Sequence, residues 1–254
     1  MHHLFISDVH FGAFNEQKQA QLENDILALI DYCEEKTIQL HVLGDLFDYW
    51  MEFPNYVPPI GEKILARFGT YHKKKGTTLF ITGNHDFWTV SHFENNGFSV
   101  YKDFKKLTLD GRSVFLMHGD GIEDSTYGMP RPFLNRVLRH PRFVYLYQYF
   151  FPGKTANAVM KWFSEFTRDP SKESPEKLNK WAGKLISEHG EDVVISGHDH
   201  IARTETFSGG LYINTGAFHK DYTLAEYKNG QFQLVMWNSH RKELLPFKKI
   251  PSSR

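Results

Sequence analysis

Five short apolar runs punctuate the chain: LFIS, HVL, LFIT, VFLM and VVIS. Each ends in polar residues of metal-ligand type. They are Asp8-Val9-His10, Gly44-Asp45, Gly83-Asn84-His85-Asp86, His118-Gly119-Asp120 and Gly197-His198-Asp199-His200. A run of about four apolar residues has the length of a buried strand. Between the first two, Leu22, Ile26, Leu29, Ile30 and Cys33 recur at helical spacing and predict a helix over 17–36. Further helices are expected over 60–75 and 175–188, and a strand over 78–82. Asp110-Gly111 between two apolar segments reads as a hairpin, as does Asn229-Gly230 within TLAEYKNGQFQLVMW. Strands alternating with helices first, and hairpins later, predict an α/β fold with mixed sheets.

In such folds ligands sit at the carboxyl ends of the strands, so five strands releasing Asp, Asn or His there can converge those side chains on one spot. Asp8 and His10 lie two apart and share a face, as do His198 and His200. Oxygen ligands (Asp8, Asp45, Asn84) mixed with imidazoles (His10, His118, His198, His200) suit Mn²⁺, Fe²⁺ or Zn²⁺ better than Ca²⁺ or a thiolate zinc site. Seven ligands exceed the needs of one such ion, so two sharing a carboxylate are expected, about 3.5–4 Å apart.

Composition narrows the picture. The 30 basic and 30 acidic residues cancel, so no global field recruits nucleic acid. The single cysteine, Cys33, excludes an internal disulfide. No apolar run approaches the roughly 18 residues of a membrane span. A first strand beginning at Leu4 leaves no room for a signal peptide, so a cytoplasmic protein is expected. The region 121–175 breaks the regular alternation. From Arg131 to Lys154 it holds five Lys or Arg, no acid, and FVYLYQYFF. Such a basic, aromatic patch suits docking on an anionic bilayer and covering an acyl chain. It also suits a subdomain core or a protein contact.

DVH, GDLFD, GNHD, HGD and GHDH, in that order, resemble the signature blocks of the calcineurin-like metallophosphoesterases. The resemblance implies a four-layer αββα sandwich spanning 1–254 as one domain, with 121–175 as a helical insertion, or lid. It implies one metal on Asp8, His10, Asp45 and His200, and a second on Asp45, Asn84, His118 and His198. Two divalent ions, expected as Mn²⁺, would serve phosphate ester hydrolysis. His85 would neutralise charge on the phosphoryl oxygens or protonate the leaving oxygen. Asp48 resembles the family carboxylate that orients this histidine; by itself it also reads as a loop cap.

More of the chain is similar to one branch, the UDP-2,3-diacylglucosamine pyrophosphohydrolases of lipid A synthesis. The shared features are GDLFDYW, GNHDF, the insertion after HGD, and Gly216-Ala217-Phe218-His219. Asp124 and Tyr127 resemble residues near the metals and the sugar. Arg168 and Ser171 resemble residues of an Arg-x-x-Ser-Lys stretch that holds nucleotide and phosphate. The chain departs from that branch at His85, where an arginine is expected, and at Asp48, where a glutamate is. An arginine acts as a charge clamp, sufficient when a phosphate leaves. A histidine can also donate the proton that an alkoxide needs.

The expectation is therefore an enzyme at the inner face of a membrane that splits UDP-2,3-diacylglucosamine into UMP and 2,3-diacylglucosamine 1-phosphate. Nucleic acid is not expected as a partner, and the chain carries no signal for its oligomeric state. Two alternatives stand beside it. One is a soluble metallophosphoesterase acting on a nucleotide, a nucleic-acid end or a phosphoprotein; the other is a non-enzymatic metal-binding scaffold.

Overall fold

A computed structural model of the protein describes residues 1–167 and 175–247. The chain path opens with β1 (His2–Ile6), α1 (Glu16–Lys36), β2 (Gln39–Leu43), α2 (Glu62–Lys75), β3 (Thr78–Ile81), α3 (His92–Asn95) and β4 (Phe98–Tyr101). The hairpin β5 (Phe104–Leu109) and β6 (Arg112–Met117) follows. Next come α4 (Phe133–Arg139), α5 (Pro141–Phe150) and α6 (Gly153–Thr167). After α7 (Pro175–His189) run β7 (Val193–Ser196), β8 (Arg203–Phe207), β9 (Gly210–Asn214), α8 (Phe218–Asp221), β10 (Thr223–Lys228), β11 (Gln231–Asn238) and β12 (Glu243–Pro246).

The strands form two sheets, in the orders β12-β11-β10-β1-β2-β3-β4 and β5-β6-β7-β9-β8. Strand periodicity of two explains why four layers result. Leu4 and Ile6, Leu40 and Val42, and Phe80 face α1 and α2. Their neighbours Phe5, Leu43, Leu79 and Ile81 face Val114, Leu116, Val193, Ile195 and Ile213 of the second sheet. Phe115, Met117, Val194 and Tyr212 turn the other way, onto Leu178, Trp181, Leu185 and Ile186 of α7. Fully buried strands on both faces need helices outside them, and α1, α2 and α7 supply that cover.

The ends of α1 follow local rules. Asn15 accepts from the Lys18 N–H as N-cap, and Thr37 closes the helix at φ +56°. The predicted helices and the 110–111 hairpin all form. No apolar run marks β4 in the sequence, because only Phe98 of it is buried. β9 pairs antiparallel with β8, as a hairpin would, and also parallel with β7.

Parallel neighbours β1, β2 and β3 in one sheet, and β6, β7 and β9 in the other, end at the same edge of the sandwich. Beside that edge a small, largely aromatic cluster joins α5 and α6 to the loops after β2 and β3. Met51, Phe53, Trp88 and Ala156 form its centre, with Phe143 and Tyr147 of α5 packed on it. The basic patch expected on the insertion is smaller than its sequence suggests. Arg131 and Arg139 turn inward to Asp103 and Asp120, which leaves Arg136, Arg142 and Lys154 exposed. Among the described residues no helix is long and apolar enough to cross a membrane.

Candidate metal centre

The chain turns sharply as it leaves the strands. Asp8, His10, Asp45, His198 and His200 all hold positive φ, between +48° and +78°. Left-handed backbone costs a non-glycine residue roughly 1–2 kcal/mol, and it persists where the surrounding fold over-determines it. Five such residues at one edge mark a spot where side-chain direction matters more than backbone comfort. Gly83 and Gly197 make the close approach possible. A Cβ on Gly83 would collide with the Asp45 carboxylate, and one on Gly197 with Ser7 and Asp8.

All seven expected ligands come together. His10 Nε2 and His200 Nε2 face each other at 3.2 Å, and His200 Nε2 lies 3.3 Å from Asp8 Oδ1. Asp45 Oδ2 stands 3.7 Å from His10 Nε2 and 3.3 Å from His118 Nε2, which places it between two groups. His118 Nε2 is also 3.0 Å from Asn84 Oδ1, and the ring of His198 packs edge-on to it at 5.0 Å.

The hydrogen bonding tests whether these groups fit cations. His118 Nδ1 donates to the Leu43 carbonyl at 2.9 Å, so in the neutral ring Nε2 carries a lone pair. That lone pair, Asn84 Oδ1 and Asp45 Oδ2 then converge with no proton among them. Asp8 tells the same story. Its Oδ2 accepts from Ser7 Oγ and from the His198 N–H, while the buried Oδ1 has no hydrogen-bond partner. A buried acceptor left unsatisfied costs about 1–3 kcal/mol, and a divalent cation would relieve it. Burial opposes charge on His118, but Asp45 and Asp8 outweigh it and draw the ring towards its protonated form. Burial likewise resists ionisation of Asp45, yet the neighbouring His118, His85 and His10 hold its carboxyl well below the usual range. The pocket calls for positive charge, and the donor set fits divalent metal ions.

His85 and Asp48 lie beside the ligands. His85 donates its N–H to Asp45 Oδ1 at 2.9 Å and its Nδ1 proton to the Asp48 carbonyl at 2.5 Å. The Asp48 carboxylate is 3.8 Å from His85 Nδ1 and nearer, 3.3 Å, to His10 Nδ1. Asp124 and Tyr127 are placed differently. Asp124 is exposed and caps a 3₁₀ turn through Thr126. The Tyr127 ring packs edge-on or tilted against Phe104, Phe115 and His189, and its carbonyl accepts from Trp181 Nε1. Arg168 and Ser171 lie outside the described residues.

Two supporting residues have roles that the sequence alone does not announce. Asp86 accepts from the Gly83 and Leu46 N–H groups and so ties the third block to the second. Burial, then the charge of Asp45, pushes its carboxyl up to about 7. His219 donates from Nδ1 to the Asp8 carbonyl at 2.9 Å, with its ring edge-on to His10 and His200. Both sit inside motifs already singled out, so the motifs were the available signal.

Fold and site together define a metal-dependent phosphoesterase. The chain belongs to the calcineurin-like phosphoesterase family, whose model matches residues 1–202. A protein of Coxiella burnetii named UDP-2,3-diacylglucosamine hydrolase is 27% identical over 247 residues, covering 92% of this chain and 96% of its own. One of the same name in Aliivibrio fischeri is 27% identical over 257 residues, covering 94% and 98%. Among solved structures, the E. coli phosphoesterase Yfce matches with a TM-score of 0.49 and 15% identity, over 96% of both chains.

Proposed function

We propose that the protein hydrolyses UDP-2,3-diacylglucosamine to UMP and 2,3-diacylglucosamine 1-phosphate at the inner face of a membrane. Two ions, Mn²⁺ foremost, would be held by Asp8, His10, Asp45 and His200, and by Asp45, Asn84, His118 and His198. When bound, such ions supply Lewis acidity and a water of lowered pKa. His85, its Nδ1 committed to the Asp48 carbonyl, turns Nε2 to the phosphoryl group, to neutralise its charge or to protonate the leaving oxygen.

One observation carries the lipid part of this reading. Helices packed directly behind the His85 loop expose large apolar side chains: Phe133 (73%), Tyr145 (66%), Tyr149 (72%) and Phe150 (69%). Exposed aromatics that pack on one another, as Tyr145, Tyr149 and Phe150 do, suit an interaction site, and the exposed Arg136, Arg142 and Lys154 of α4, α5 and α6 suit anionic headgroups. The names of the relatives in Coxiella burnetii and Aliivibrio fischeri agree with it.

The test is turnover by purified Mn²⁺-loaded protein of UDP-2,3-diacylglucosamine in mixed micelles, followed by ³¹P NMR. UMP and a lipid monophosphate are the expected products. Rapid hydrolysis of small phosphate esters with the lipid nucleotide left intact would instead identify a soluble phosphoesterase.

A further inference from the structure

We propose that Arg139, carried by the insertion, is a positioning residue for the metal centre. Its guanidinium clamps the loop bearing Asn84 and His85 to the loop bearing His118. From α4 it donates through Nη2 to the Gly83 carbonyl and to Asp120 Oδ2, both at 2.7 Å, and through Nη1 to the Lys102 carbonyl at 3.2 Å. It also sits over the Phe87 ring, 4.5 Å from its centroid. Gly83 and Phe87 bracket Asn84 and His85, and Asp120 is two residues beyond His118.

The side chain is only 9% exposed and the Asp120 side chain 3%. A carboxylate so deeply buried needs a paired charge. Arg131 supplies part of it, with Nε 3.7 Å from Asp120, but its hydrogen bonds go to the Lys102 carbonyl and to Asp103. Arg139 is thus placed to reach Gly83, Asp120 and Phe87 at once. A planar fork can serve a carbonyl, a carboxylate and a ring face together, which a lysine ammonium cannot.

The 3.0 Å approach of Asn84 Oδ1 to His118 Nε2 spans the same two loops. Seating of the insertion and closure of that half of the centre therefore go together. A plain structural ion pair would affect melting alone; a positioning role changes the centre of the folded protein.

The inference rests on the ligand assignment above, and the experiment separates the two. Full-length Arg139→Met and Arg139→Lys are titrated with Mn²⁺ by EPR of the free ion, at a temperature where circular dichroism shows each folded. Hydrogen exchange of the amides over 83–87 is followed in parallel. Arg139→Met is expected to weaken Mn²⁺ binding about 10- to 100-fold and to speed exchange over 83–87. Guanidinium at millimolar concentration should restore binding. Arg139→Lys keeps a charge beside Asp120 and should fall between Arg139→Met and the wild type. Wild-type Mn²⁺ affinity and unchanged exchange in Arg139→Met overturn the proposal, whatever its melting temperature. If that variant does not fold, wild-type affinity in Arg139→Lys overturns it. Asp45→Asn is the control: undiminished Mn²⁺ binding there would sink the ligand assignment itself, independently of Arg139.

Discussion

The carboxylate of Asp48 lies 3.3 Å from Nδ1 of His10, while its own main-chain carbonyl accepts the Nδ1 proton of His85 at 2.5 Å. One residue thus faces two histidines by different means. A carboxylate behind a metal-binding imidazole orients the ring and raises its basicity, and losing it costs typically 10- to 100-fold in metal affinity or activity. Asp48→Asn should weaken Mn²⁺ binding within that range. The His85 contact should survive, because a backbone carbonyl serves it. Metal titration and a crystal structure of the variant check both parts. A His85 ring displaced while Mn²⁺ affinity stays normal would reverse the assignment.

His85 stands where the pyrophosphohydrolase branch is expected to carry arginine, and the difference can be read from leaving groups. An arginine can clamp phosphoryl charge but cannot deliver a proton at neutral pH. His85→Arg should therefore keep cleavage of a pyrophosphate, or of a p-nitrophenyl ester, within about tenfold. It should lose alkyl phosphate ester cleavage by about 10²–10⁴-fold, the usual worth of a general acid. Parallel kcat/KM measurements on the three substrates decide. Equal losses on all would assign His85 to charge neutralisation alone.

The convergence of these side chains is legible because apolar runs break directly into Asp, Asn and His, and because five such breaks at parallel strand ends leave few arrangements open. What lay behind the ligands was not legible in the same way. Arg139 and Asp120 meet only because α4 folds back over the strand edge, and no local pattern separates an inward arginine from its exposed neighbour Arg136. β4 is hidden in the sequence for a related reason: its residues beyond Phe98 are only half-buried, so no apolar run announces it. Asp124 and Tyr127 were singled out by resemblance, and the structure gives them a turn cap and an aromatic packing contact.

The exposed aromatic side chains on α5 make membrane association testable without substrate. Each fully exposed aromatic that enters a bilayer interface contributes up to a few kcal/mol of apolar transfer. Tyr149→Glu with Phe150→Glu should abolish co-sedimentation with anionic phospholipid vesicles. Turnover of bis(p-nitrophenyl) phosphate should stay unchanged, because both side chains are largely exposed and neither belongs to the candidate metal centre. Vesicle binding that survives the double change would move the membrane contact elsewhere or remove it.

His41 ties stability to pH at a place remote from the centre. It is buried on β2, its Nε2 3.0 Å from His3 Nδ1, with the two rings stacked at 5.3 Å and the Phe5 ring 4.9 Å away. Burial, and then the proximity of His3, pushes its pKa down to about 3. The folded ring stays neutral where the unfolded one, near 6.5, takes up a proton. The unfolded state therefore binds more protons between about pH 3 and 6.5, and stability falls as pH drops through that window. Between pH 6.5 and 4.5 the loss from this one group is on the order of 2–3 kcal/mol. His41→Phe keeps an aromatic ring against Phe5 and removes the titration. In urea unfolding with chelator present, its stability should decline less than that of the parent chain from pH 7 to 4.5, by about that amount. Parallel decline of the two proteins would mean that the acid sensitivity arises elsewhere, with His198 and His219 the next groups to change, since burial pushes the pKa of each down to about 4.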